Sequence, residues 1–403
     1  MNFDDTPEEA KFRVEARAWL AAHAPAHVLP PHGMLTDCEL VARGRAWQRC
    51  LADGGFAGIL LPRSVGGRAG SIAEAIVFDE EEHRYKLPTG AYTKIGLGMA
   101  LPVIAKHGTS EQIARFAAPT LRGDLIWCQL FSEPDAGSDL AGLRTRAVRD
   151  GDGWVVNGQK VWSSWAHHAD WGILVARSDA SVPKHKGLTF FALDMKSQGV
   201  EVRPIRQISG ASDFNETFLV DVRIPDSCRI GPVGGGWACC MTVLTGERLN
   251  QGGSGHSGVA ALIAYAAATR RGAGSALDSS AVRTNLALAY AEQEAERHLQ
   301  SRLRTMLSRG EDPGALAAMI KLVSAGRLQK TSGLAMELRG ADALAPDASD
   351  GASLRIWEDY IWAAALRIAG GADEVLRNQI AERVLGMPGE IRMDKDVPFD
   401  QLK

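Results

Sequence analysis

Cysteine is scarce and without pattern. The six, Cys38, Cys50, Cys128, Cys228, Cys239 and Cys240, form no CxxC pair and no framework spacing. That excludes a disulfide scaffold and a structural zinc site, and reads as buried thiols in a reducing compartment. Long apolar runs are also missing: none reaches membrane-spanning length, and the opening MNFDDTPEEAKF has neither an apolar signal core nor an Arg-rich presequence. The expected location is cytoplasmic, with no membrane span. Charge of one sign is lacking too. A net charge of −3 over 403 residues offers no field for a polyanion, so nucleic acid is not an expected partner. No Gly-x-Ser-x-Gly elbow, P-loop, internal repeat or low-complexity segment occurs.

What is present is an ordinary globular composition, 45% hydrophobic, in a chain long enough for two or three domains. Thr6-Pro7-Glu8-Glu9 is a capping box with proline at the first helical position, and Phe12, Ala16, Trp19 and Leu20 follow on one face. A second helical pattern runs from Ala42 to Asp53, and Ser71-x-x-Glu74 and Thr109-x-x-Gln112 start two more. The loop LPRSVGGRAG reads as a turn between helices. From Leu125 to about Ile230 the period switches to two, with strand-like segments at 170–177, 187–195, 200–208 and 216–223. GPVGGGW then reads as a hinge, and from Trp237 to about Leu385 the pattern is helical again, consistent with a bundle. The expected organisation is mainly α with a central antiparallel β domain: a helical N-terminal domain over 1–125, a β middle domain over 126–232, a helical bundle over 233–387 and a charged tail over 388–403.

The stretch from Trp127 to Trp165 carries the densest chemistry. It opens WCQLFSEPDAGSD and closes GQKVWSSW, and the alternating run between them is punctuated by the turn pairs Asp152-Gly153 and Asn157-Gly158. The Ser132 hydroxyl, the Gln129 amide, two tryptophans and the Ser163-Ser164 pair would suit a flat heterocycle with hydrogen-bonding edges, because indole faces stack while amides and hydroxyls read the rim. The same composition equally fits a plain sheet around a buried tryptophan.

Three further features need weighing. Gly253 to Gly258 spells GxGxxG, with Asp278 twenty residues beyond, but a dinucleotide fingerprint needs a preceding strand and the spacing of Cys240 to Leu249 is helical. His167-His168 and Asp170 suggest a metal, yet no third or fourth ligand stands at a recognised spacing, so a solvated loop is expected and no metal site is assigned. Glu247-Arg248 follows the glycine hinge among Met241, Val243, Leu244 and Leu249. A carboxylate in apolar surroundings has its pKa raised and suits the removal of a weakly acidic proton; an ordinary helical acid paired locally is the alternative.

Ser-Glu-Pro-x-Ala-Gly-Ser-Asp followed by Asn-Gly-x-Lys-x-Trp-Ser-Ser resembles the two middle-domain signatures of the acyl-CoA dehydrogenase family, in order and spacing. The resemblance implies an FAD-dependent enzyme with a helical N-terminal domain, a β middle domain and a C-terminal four-helix bundle, converting an acyl-CoA thioester to the 2,3-enoyl-CoA and passing electrons to an electron-transfer flavoprotein. By motif position, Gln129, Phe131 and Ser132 would contact the flavin largely through backbone, Trp162 and Ser164 would cover its ring edge, and Ser138 would meet the CoA portion. Most members take their base from Glu-Gly-Thr in the final helix; here those positions read Gly370-Gly371-Ala372. A minority, resembling isovaleryl-CoA and long-chain dehydrogenases, carry the glutamate earlier, immediately before an arginine. That pattern implies Glu247 as α-proton base, with Arg248 supporting the substrate end.

The C-terminal half departs from the family. In place of the Arg-x-x-Phe-Gly that holds a neighbouring subunit's FAD stands TRRGAGSALDSSAVR, and a later glycine-rich stretch is LRGADAL. This resembles a branch working as mixed oligomers on bulky sterol side-chain CoA esters, so a homo- or hetero-oligomer, dimer or tetramer, is expected. Two other classes share the fold: a non-catalytic partner subunit, and a flavin-dependent oxidase or monooxygenase.

Overall fold

The computed structural model describes residues 5–30, 34–250, 258–311, 314–344 and 351–402, leaving aside the side chains of 91, 246–250, 308 and 351–353. Two units divide it: Met1–Leu29, Thr36–Asn250 and Glu390–Lys403 form one, and Pro30–Leu35 with Gln251–Gly389 the other.

Helices open the first unit, and their starts are written locally. Helix α1 (Pro7–His23), α2 (Asp37–Asp53) and α3 (Ile72–Glu82) each begin with a closed capping box, from Thr6 to Glu9, Thr36 to Glu39 and Ser71 to Glu74. The box at Thr36 starts α2 at Asp37, ahead of the apolar periodicity that begins at Ala42. A helical run over 91–107 comprises α4 (Ala91–Ile95), a π turn at Gly96–Ala100 and α5 (Leu101–His107). Gly96 eases the packing at that turn, because a Cβ there would press on the Thr120 side chain at 3.0 Å and on Trp127 at 3.3 Å. Thr109 and Gln112 then cap α6 (Ser110–Leu121). The faces left inward, Phe12, Leu20, Trp47, Phe56, Phe78 and Leu101, close a helical core.

Among the described residues, eight strands form one sheet: β1 (Trp127–Leu130), β2 (Arg146–Asp150), β3 (Gly153–Lys160), β4 (Trp171–Arg177), β5 (Leu188–Asp194), β6 (Val200–Ile205), β7 (Phe214–Pro225) and β8 (Arg229–Ile230). The order is β6-β7-β3-β2-β4-β5-β8, with β1 lying parallel on β4. The sheet is therefore mixed, antiparallel along most of its ladders. Strand β4 is buried along its whole length, and β5 at all but its last residue, so neither shows the alternation of a half-exposed strand.

Asp152-Gly153 does lie at the β2–β3 hairpin, whose ladder ends on Asp150 opposite Gly153. Asn157-Gly158 is not a turn. It is a bulge inside β3, where the register against β7 shifts between Val156 and Gly158. Asn157 Oδ1 accepts from Asp221 N–H at 2.9 Å, and a Cβ on Gly158 would lie 2.4 Å from Thr145 Oγ1. A close neighbouring backbone, invisible to a local reading, selects glycine there.

The hinge glycines seat the next helix on the sheet. Gly234 (φ 76°) donates its N–H to Thr189 Oγ1 at 3.1 Å, and a Cβ on Gly236 would clash with Leu188 backbone at 2.7 Å. Helix α7 (Gly236–Asn250) starts there, burying Cys239, Cys240 and Val243 in the same core as Phe131 and Phe190.

The second unit is helical: α8 (Val259–Ala268), α9 (Ser280–Ser308), α10 (Leu316–Arg339), α11 (Gly351–Leu366) and α12 (Asp373–Arg383). A two-stranded hairpin, β9 (Arg270–Arg271) and β10 (Gly274–Ser275), follows α8. Leu262, Ala266, Leu286, Leu334 and Leu338 pack its core. Lys321 Nζ reaches Gly371 O at 2.7 Å and Asp373 at 2.8 Å, tying α10 to the start of α12.

The last residues return to the first unit. Phe399 N–H donates to Val182 O and Asp400 N–H to Ala180 O, each at 3.0 Å. The charged end of the chain is a docked segment on the β4–β5 connection.

Candidate functional site

Two stretches leave their strands side by side at the sheet's end. β1 runs out through Phe131 and Ser132, β3 through Lys160 into the turn 161–165, and Val161 N–H donates to Ser132 O at 2.9 Å. Beneath them the wholly buried Lys160 donates from Nζ to Phe131 O at 3.0 Å and Glu133 Oε1 at 2.8 Å. Glu133 also accepts the amides of Arg144 and Thr145 at 2.6 and 2.9 Å. Burial works to raise the Glu133 carboxyl, but the Lys160 ammonium and these donors hold it below the usual carboxylate value. Burial draws Lys160 below the usual lysine value, with Glu133 opposing.

Neither residue was a candidate from sequence alone. Both stand inside the quoted motifs, and the available signal was parity: Lys160 is buried on the same alternation as Trp154 and Val156. A lysine facing a core requires a carboxylate there.

After Lys160 the backbone enters left-handed conformations at two bulky residues, Trp162 (φ 62°) and Trp165 (φ 56°). Such conformations cost energy and persist where surroundings over-determine them. Strand β7 and the residue just before it do this: Ser163 N–H donates to Asn215 O at 3.1 Å, Trp165 N–H to Asp213 O at 2.8 Å, and Asn215 Nδ2 to Ser163 O at 2.9 Å. As a result the Trp162 indole stands 59% exposed, edge-on to Phe214 at 6.0 Å between centroids.

Around that indole the structure offers the half-buried Ser164 and, across the Val161–Ser132 bond, half-buried Ser132 with the end of β1. Gln129 is half-buried in β1. Phe131 is buried against Phe190 at 5.8 Å, so backbone is what it offers a ligand. Ser163 Oγ is buried without a hydrogen-bond partner. Exposed indole, free hydroxyls and strand backbone fit the edge and face of a flat heterocycle such as the flavin of FAD.

Ser138 is exposed on the loop after β1. Its neighbour Asp139 takes the Lys184 ammonium at 2.8 Å, and Lys184 also meets Asp394 of the docked segment at 2.6 Å. Close by, the buried Arg177 donates to the carbonyls of Ala141, Leu143 and Lys184 and lies 3.4 Å from the Phe399 ring centroid. Burial pushes Arg177 down to about 10.

Glu247 and Arg248 fall in the last turns of α7, and their side chains lie outside the described residues. Most of the GxGxxG also lies outside them; Gly258 is the N-cap of α8, and Asp278 caps a turn by accepting Ser275 N–H at 2.8 Å. The helix α7, not a strand, precedes that motif. Asp170 does not join the two histidines: it takes Arg45 at 2.9 Å and the Ile126 amide at 3.0 Å.

In the second unit, the segments that depart from the family motifs come together. A cavity of about 580 Å³ is lined by Tyr265, Arg270, Arg271, Arg339 and Asp342 among others. Arg271 Nη2 is held by Glu337 O at 3.1 Å, and Arg339 Nε is buried without a partner. Three guanidinium groups in one cavity suit an anion.

Family descriptions match the chain in three consecutive blocks: acyl-CoA dehydrogenase N-terminal domain over 6–124, middle domain over 128–222 and C-terminal domain over 234–385. Acyl-CoA dehydrogenase FadE34 of Mycobacterium tuberculosis is 38% identical over 85% of the chain, which spans only 46% of that relative's length. Acyl-CoA dehydrogenase IpdE1 of Mycolicibacterium smegmatis is 33% identical over 96% of the chain and 99% of its own length. Among solved structures, the Tcur3481-Tcur3483 steroid ACAD superposes with a TM-score of 0.79 at 28% identity, covering 97% of this chain and 100% of that one. The ChsE4-ChsE5 complex from Mycobacterium tuberculosis gives 0.78 at 27%, with the same coverage.

Proposed function

The chain belongs to the acyl-CoA dehydrogenase family, and from that premise we propose that it oxidises the α,β bond of an acyl-CoA thioester to the 2,3-enoyl-CoA, as one subunit of a mixed oligomer acting on a bulky, sterol-derived acyl group. The observation that carries the reading is the Lys160 brace, which draws Phe131-Ser132 and the Trp162–Ser164 turn together around an exposed indole. FAD bound there would supply the acceptor for the two electrons removed.

This chain's residues have separate tasks in the reaction. Ser132, Ser164 and the backbone at Gln129 and Phe131 would hold the heterocycle, with Trp162 beside it. Ser138 takes the CoA portion on a loop anchored through Asp139 to Lys184. Glu247, in the last turns of α7, removes the α-proton, with Arg248 beside it supporting the substrate end. A helix on one side and a sheet on the other suit a reaction in which proton and electron pair leave opposite faces of the acyl chain. An electron-transfer flavoprotein would be the final electron acceptor.

The mixed-oligomer reading draws on two supports: both structural relatives are named as pairs of components, and the family's Arg-x-x-Phe-Gly is replaced here. The cavity of Arg270, Arg271 and Arg339 supplies a cationic anion site in its stead.

The test is the flavin spectrum of the purified chain, alone and co-expressed with candidate partners, before and after acyl-CoA esters of increasing bulk. Flavin bands bleached by a bulky ester support the reading, and Glu247→Gln should keep the bands and lose the bleaching. Bleaching at the wild-type rate in that variant overturns the base assignment. A chain colourless alone and with every partner overturns the dehydrogenase.

A further inference from the structure

We propose that Asp37, His167 and His168 form a binding site for a divalent transition-metal ion, with Zn2+ the best chemical match. The three are distant in sequence: Asp37 is the first residue of α2, and the histidines close the short turn Ala166–His168 that follows Trp165. In the fold, one ligand atom from each lies within 4.8 Å of the others, a span that small side-chain adjustments bring to ordinary coordination distances.

The tautomer of His167 is set by its surroundings. Asn215 is wholly buried, and its Nδ2 donates to Ser163 O at 2.9 Å, so its Oδ1 is an acceptor. His167 Nδ1 lies 2.9 Å from that oxygen and must donate to it. The neutral ring therefore carries its lone pair on Nε2. A second residue that fixes ring orientation and tautomer in this way is the usual companion of a metal-binding histidine. His168 contributes an independent sign: its Nε2 is buried without any hydrogen-bond partner.

The two rings lie 4.2 Å apart at their centroids, next to the Trp165 indole at 5.9 and 5.7 Å. Two imidazolium ions at that separation would repel, whereas one cation can take both lone pairs and the Asp37 carboxylate. Two nitrogens and one oxygen suit Zn2+, Co2+ or Ni2+ and leave a coordination position for water. Such an ion would clip the start of α2 to the turn behind Trp162–Ser164. The inference does not depend on the substrate reading above.

The test uses the full chain with its flavin, stripped with a chelator, dialysed into micromolar Zn2+ and analysed for metal content. One Zn2+ per chain and a melting temperature several degrees higher in Zn2+ are expected. Asp37→Asn, at an exposed position that leaves the Thr36 cap in place, should weaken Zn2+ binding at least tenfold and leave the metal-free melting temperature unchanged. His168→Gln should weaken it similarly, and Co2+ in place of Zn2+ should give d–d absorption lost in both variants. No stoichiometric Zn2+ in the wild type, or variants binding it as tightly, overturns the site.

Discussion

Lys160 Nζ and Glu133 Oε1 meet at 2.8 Å with both side chains out of solvent, one on β3 and the other just past β1. The same ammonium holds Phe131 O. One buried pair thereby joins the two motifs that identify the family.

Removing one partner should be costly. Lys160→Met leaves the buried Glu133 without its counter-charge, an expected loss of about 3–5 kcal/mol. Flavin retention should fall with it, since Phe131-Ser132 loses its anchor. Urea unfolding and the flavin-to-protein absorbance ratio read the two effects, and wild-type values for both would show that the brace is dispensable.

Gly158→Ala tests the bulge. The added carbon would sit 2.4 Å from Thr145 Oγ1 and 2.7 Å from Thr145 Cα. Because the backbone atom cannot rotate away, the expected cost is about 1–3 kcal/mol. Lys160 lies two residues on, so flavin retention should drop as well, whereas Gly151→Ala, with nothing near its Cβ but a φ of 59°, should cost stability without touching the flavin.

The docked C-terminal segment should stabilise the first unit. Phe399→Ala removes the ring from the buried Arg177 guanidinium, an expected loss of about 1–2 kcal/mol. Asp394→Asn should loosen Lys184, and through Asp139 the Ser138 loop, so that KM for acyl-CoA rises more than kcat falls. An unchanged KM would separate the segment from the substrate site.

Acid should find Asp226. Arg229 first, then Trp154 Nε1 at 2.8 Å and Arg149 at 2.5 Å, hold its carboxyl far below the usual carboxylate range. A group depressed in the folded state stabilises above its unfolded pKa, near about 4, and loses that contribution as pH falls through the folded value. Urea midpoints at pH 7 and pH 3 should therefore differ less in Asp226→Asn than in the wild type; an equal difference would remove Asp226 from the acid response.

Much of the fold is legible in the sequence alone. The capping boxes at Thr6, Ser71 and Thr109 are interactions over three residues, and β4 to β7 are announced by composition and turns. Local physics writes such features into consecutive residues. The proposed flavin-ring contacts Gln129, Phe131, Ser132, Trp162 and Ser164 come from motif position, because two motifs in fixed order are a one-dimensional signal.

Tertiary structure decided what depends on residues far apart. The chain itself determined that it would be helical, then sheet, then helical. Only the fold showed that Asn157-Gly158 is a bulge rather than a turn, since the reason is Thr145 pressing on Gly158. Likewise Asp37 stands beside His167-His168, and Phe399 lies on Arg177, through contacts between segments 130 and more residues apart. Periodicity and capping act through neighbours along the chain, whereas buried charge pairing and close backbone approach act through neighbours in space.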